Sequence, residues 1–281
     1  MFTGCNALLP NEIRPAEALP ILPRNPRGAN VGYYTVTCDK DYNLVPVNLL
    51  KVEGGTINLQ DLVNTNNTPN LTLHKTQTSA DQIMIYNGAG YTEFWLHNGK
   101  GTGNDKFAAK WVMQGDDGLE AAEDQALCNL TSGSCFFFVP KQTAEPVVIT
   151  IPGQVPAQVE GKLVQGYNLI GSGMPADFVL NGEVAGFGNM TNFWTAANGF
   201  TRHKTQTSAD QIMVYNGAGY TEYWLHNGKG TGNSEFNGKW VLQGESALEE
   251  VVQPIPATSG FFFLKYADGE IDFKPPMPYS L

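Results

Sequence analysis

Nowhere in these 281 residues is there an apolar run of about 18, the length a helix needs to cross a bilayer. Basic residues are scarce as well: 17 Lys and Arg stand against 27 Asp and Glu, the formal net charge is −10, and no basic cluster occurs. Nucleic acid and anionic membrane surfaces both require such a cluster, so neither is expected as a partner. Charged residues of both signs reach only 16%, well under the usual quarter. The first thirty residues lack the apolar core of a secretory signal and are broken by Pro10, Pro15, Pro20, Pro23 and Pro26. A polar but weakly charged surface is common outside the cell, and the expectation is an extracellular or cell-surface protein whose signal peptide has already been removed.

Cysteine is rare, at four residues. Cys128 and Cys135 bracket the short Gly/Ser turn of "CNLTSGSC", where a disulfide would staple a hairpin loop, leaving Cys5 and Cys38 as the other disulfide candidates. Zinc would ask for C-x2-C spacing or a nearby His, and neither is present. Disulfides agree with an exported protein; free buried thiols are the alternative.

What the chain does hold is a repeat. Of the 39 residues from His74 to Val112, all but six recur from His203 to Val241; the exceptions are Ile85/Val214, Phe94/Tyr223, Asp105/Ser234, Lys106/Glu235, Ala108/Asn237 and Ala109/Gly238. Weaker matches flank it, "YNLVPVNLL" with "YNLIGSGMP" and "GSCFFFVP" with "TSGFFFLK". Two tandem domains follow, residues 31–153 and 160–281, with 154–159 as linker and 1–30 as a separate arm.

Each copy reads as β. "QIMIYNGAGYTEFWL" is two apolar and aromatic runs around Asn-Gly, a hairpin signal. "KWVMQG", "CFFFVP" and "VVITIP" are further strands, and the three successive Phe in "CFFFVP" ask for burial on both faces. Helix is expected only over Gly118–Cys128, with one turn in "NLQDLV". The fold class is therefore all-β: two homologous antiparallel sandwich or barrel domains with little helix, plus an extended arm. Within the arm, Ala18, Leu19, Pro20, Ile21, Leu22 and Pro23 form an apolar extended stretch that fits a floppy tail, a clamp along its own domain, or a strand lent to a neighbour.

The order "VGYYTVTCDKDYNLVPVNLL", "TINLQDLV", "IMIYNGAGYTEFW", "KWV", "GSCFFFVP", then "GYNLIGSGMP", resembles a repeat domain of uncharacterised exported proteins of planctomycete and verrucomicrobial bacteria. There a "GYNLI" strand leads to a Tyr/Trp-rich hairpin and a "G-x-FF" strand closes the domain. The resemblance covers most of residues 31–281 and implies a cell-envelope or extracellular role without established chemistry.

Catalytic signals are weak. All four histidines lie in the repeats, as His74 and His97 with their copies His203 and His226, and their spacing to Asp81, Asp210, Glu93 or Glu222 fits no metal motif. "NGKGTGND" is neither a P-loop nor an EF-hand, and Asp105 becomes Ser234 in the copy. No G-x-S-x-G elbow or carboxylate pair across a cleft stands out. No enzyme activity, metal or cofactor is expected. The expected function is a secreted structural protein whose main partner is itself, assembling into a fibre or surface layer through its arm and its repeated surfaces. Repeated polar contact candidates are His74, Lys75, Gln77 and Asp81, with His203, Lys204, Gln206 and Asp210. The alternative is a module for cell-surface glycan in which Tyr91, Trp95, Tyr220 and Trp224 stack sugars.

Overall fold

The computed structural model describes residues 31–39, 42–51, 55–141, 145–183, 190, 192–217, 219–244 and 247–279. The arm candidates Ala18 to Pro23 and the disulfide candidate Cys5 lie outside the described residues. In chain order the first copy holds β1 (Val31–Cys38), β2 (Asn43–Val47), β3 (Ile57–Asn58), α1 (Leu59–Leu62), β4 (Gln82–Tyr86), β5 (Tyr91–His97), β6 (Lys110–Gly115), β7 (Gly118–Ala121), β8 (Asn129–Leu130), β9 (Ser134–Val139) and β10 (Val147–Gln154). The second holds β11 (Gly161–Ile170), β12 (Gln211–Tyr215), β13 (Tyr220–Leu225), β14 (Trp240–Gln243), β15 (Leu248–Glu250) and β16 (Phe261–Phe273).

The repeat is visible as two matching six-stranded antiparallel sheets, ordered β2-β9-β4-β5-β6-β7 and β11-β16-β12-β13-β14-β15. The hairpin expected at the Asn-Gly dipeptide forms in both copies. In the first, Gly88 takes φ 93° and the Asn87 side chain accepts from the backbone N–H of Ala89 and Gly90, at 3.1 and 2.9 Å. The stretch Gly118–Cys128 is the exception to the sequence reading. Its first four residues join the sheet as β7 and only 3-10 turns follow, at Ala122–Asp124 and Ala126–Cys128. A strand at the sheet edge completes the backbone bonds of β6, and that gain outweighs the helix preference of a short Glu/Ala run.

Inside each copy a ribbon folds over the sheet. In the first it is the pair β1–β10, whose Tyr34, Val36, Cys38, Val147, Ile149 and Ile151 meet Ile83, Phe94, Leu96, Trp111, Phe136 and Phe138 from the sheet. In the second, the ribbon is continuous with the sheet: residues 161–164 of β11 pair with 270–273 of β16, then both strands bend at a bulge between Val164 and Gly166. Asn168 staples the bend, its Oδ1 accepting from Val164 N (2.9 Å) and its Nδ2 donating to the carbonyls of Val164, Gly166 and Phe263. Asn43 in the first "YNL" donates to Phe138 O in the same way. The shared motif therefore marks the corner between ribbon and sheet.

Candidate functional site

The polar segment from His74 to Asp81 is a loop laid against β5. Its ends are tied by His74 N donating to Leu96 O (3.0 Å), Leu96 N to Asp81 O (3.1 Å) and Asp81 N to Thr72 O (3.0 Å). Between them, His74 Nδ1 accepts from Thr76 N and meets Thr76 Oγ1 at 2.8 Å, and Gln77 Nε2 donates to Glu93. Asp81 has no exposed surface: Oδ2 accepts from Thr72 N (2.7 Å) and Oδ1 from Lys141 N (2.6 Å), just past β9. Asp210 repeats this with Thr201 N and Tyr266 N, both at 2.8 Å. Burial raises the Asp210 carboxyl above the ordinary value, opposed by those two N–H groups and by Lys265. Asp81 and Asp210 are therefore internal clamps and not contact residues, which corrects the sequence reading. Lys75 and Lys204 are exposed; His74 and His203 are half-buried and bonded within the loop, and the half-buried Gln77 and Gln206 donate to Glu93 of β5 and Glu222 of β13.

The same loop covers aromatic side chains. Ala80, Trp95, Phe107, Val112 and Ala121 form a small cluster on the outer face of the first sheet, and Ala209, Trp224 and Val241, joined by Phe236, form its copy. Trp95 and Trp224 keep only 6% and 4% of their surface, so neither can stack a sugar. Of the four stacking candidates, only Tyr91 (39%) and Tyr220 (40%) reach solvent. The burial of both Trp follows from a covering loop whose own residues are polar.

His97 and His226 are fully buried. Each accepts a backbone N–H at Nδ1, from Gly99 and Gly228 at 3.0 Å, and each stands edge-on to a phenylalanine, Phe107 or Phe236. Accepting at Nδ1 places the proton on Nε2, which has no lone pair left for a metal. Among the described residues, no group of three His, Cys, Asp or Glu is placed to hold one. Burial, and then the neighbouring His74 or His203, lowers both pKa values below the ordinary histidine range.

The cysteine pairing expected at "CNLTSGSC" does not form: Cys38, Cys128 and Cys135 are all free and buried. Strand alternation is the reason. In β9, Phe136 and Phe138 face the core that also holds Cys128 and Cys38, whereas Cys135 and Phe137 face the other way. Burial pushes the Cys38 and Cys128 thiols up to about 12, and that of Cys135 further, so none is a ready nucleophile.

Cys135 and Phe137 face the second domain. Leu44, Cys135, Phe137 and Phe262 form a buried cluster joined by Met84, Tyr86, Leu169, Met213 and Tyr215. The contacts are reciprocal. Tyr86 packs edge-on to Phe262 at 5.7 Å while Tyr215 packs edge-on to Phe137 at 6.3 Å, and Phe137 and Phe262 meet each other at 6.4 Å. Tyr42 and Tyr167 flank the two phenylalanines at 6.1 Å each. The equivalent positions Cys135 and Gly260 also meet: a Cβ on Gly260 would lie 2.2 Å from Cys135 Sγ. One position holds a thiol because its counterpart holds nothing. Buried Asn48 adds polar links, Oδ1 accepting from Gly173 N (2.9 Å) and Nδ2 donating to Ala257 O (2.5 Å).

The two copies thus meet through the same face, related by a pseudo-twofold axis near Cys135 and Gly260. Such an interface closes on itself, so this repeated surface is occupied within the chain. Sequence alone gave no sign of it, because each Phe137-type side chain reads as core until the strand's two faces are assigned to different neighbours. Beside the interface runs a groove of about 450 Å³ with Thr35 and Thr37 of β1, Tyr42 and Leu44 on one side and Tyr215 and Ser259 on the other. Compared with protein-family models, with curated proteins and with solved structures, the chain gives no match.

Proposed function

We propose that the chain is an extracellular structural subunit that assembles with copies of itself into a fibre or surface layer. The observation that carries this reading is the reciprocal domain interface: the duplicated fold recognises its own kind through equivalent residues. The repeat's polar residues support it too. They are spent on clamping loops and covering tryptophans, which is architectural work. Because the repeated face is occupied internally, contacts between chains fall to other surfaces, with the apolar arm as the donor. Negative-stain electron microscopy of concentrated, purified protein tests the reading. Regular filaments or sheets are expected; dispersed single particles at every concentration would reject it.

A further inference from the structure

We infer that the groove beside β1 receives the proline-rich arm, residues 18–23, of a neighbouring copy. This rests on the reading of the chain as an assembling subunit and names the acceptor surface for it. Among the described residues β1, eight residues long, pairs with β10 alone, and a strand paired on one side is a template for another strand on the other. The groove borders this strand at Thr35 and Thr37, and it presents the rings of Tyr42, half exposed, and Tyr215.

The occupant follows from chemistry. Tyrosine-lined grooves take proline-rich extended segments, because a pre-ordered chain loses little entropy on docking and the rings pack on pyrrolidine faces. The stretch "ALPILP" suits both demands. Leu19, Ile21 and Leu22 supply its apolar side chains, and Pro20 and Pro23 its pyrrolidine rings. The described chain starts at Val31, the first residue of β1, so the arm leaves from the same strand that offers the site. Donor and acceptor on one chain give head-to-tail contacts that propagate.

The test uses full-length chains in a Cys5→Ser background. One tagged chain carries Ile21→Cys, another Thr35→Cys, and the two are mixed at high concentration under mild oxidation. A disulfide-linked pair of differently tagged chains is expected, and Tyr42→Ala should raise the concentration needed for assembly roughly tenfold. Assembly that persists with no cross-link and no effect of Tyr42→Ala overturns the groove assignment while leaving the assembling subunit intact. A chain carrying both cysteines that yields only a monomeric disulfide places the arm on its own groove and overturns the exchange. Chains that stay monomeric at all concentrations, without cross-links, sink the assembly reading itself.

Discussion

Asp81 and Asp210 hold the repeat together one hydrogen bond at a time. Each carboxylate joins the start of its loop to the backbone just beyond the triple phenylalanine, satisfying two backbone donors. Removing it strands both, so Asp81→Ala or Asp210→Ala should cost about 2–4 kcal/mol in urea unfolding; a loss under about 0.5 kcal/mol would deny the clamp role. His97 and His226 act through their neutral form. Their folded-state pKa lies below the unfolded value near 6.5, so the unfolded chain binds protons first as pH falls. Their contribution to stability is constant above roughly pH 6.5 and declines below it toward the folded pKa, by up to about 1.4 kcal/mol per pH unit for each histidine. Unfolding midpoints compared between pH 7.5 and pH 5 should show this loss, and a His97→Asn, His226→Asn double variant should show less of it.

At the scale of elements, strand parity explains most of what the chain does. Residues of β9 and β16 alternate between a domain's own core and the opposite domain, so the three phenylalanines in each are buried for two different reasons. Gly260 is the tightest point of this arrangement. Gly260→Ala should destabilise the protein by about 1–3 kcal/mol. Adding Cys135→Ala should recover most of that loss, because the nearest remaining atoms, the Cys135 Cβ and the Ile170 carbonyl oxygen, lie at an ordinary 3.5 Å. A double variant no more stable than Gly260→Ala alone would place the strain elsewhere. The hairpins and the two-faced burial of the phenylalanines were legible in the sequence because Asn-Gly turns and strand alternation are local signals. The role of Asp81 was not, since its partner Lys141 lies 60 residues away. Nor was the burial of Trp95, which depends on a polar loop folding over it. Cys128 and Cys135 misled because proximity in sequence says nothing about which face of a strand a thiol occupies.

For the whole molecule, duplication has produced a pair of domains that satisfies its own interface. Fusing two copies makes their association intramolecular, so it needs no concentration to persist. On the proposed reading, what connects one such pair to the next is a different surface, the groove beside β1. The most direct measurement is sedimentation velocity of the intact chain and of a chain lacking residues 1–30, across concentrations. The intact chain should grow beyond its 30.6 kDa monomer as concentration rises, and the shortened chain should sediment as a folded monomer throughout. An intact chain that remains monomeric, or a shortened chain that assembles equally well, would contradict the account.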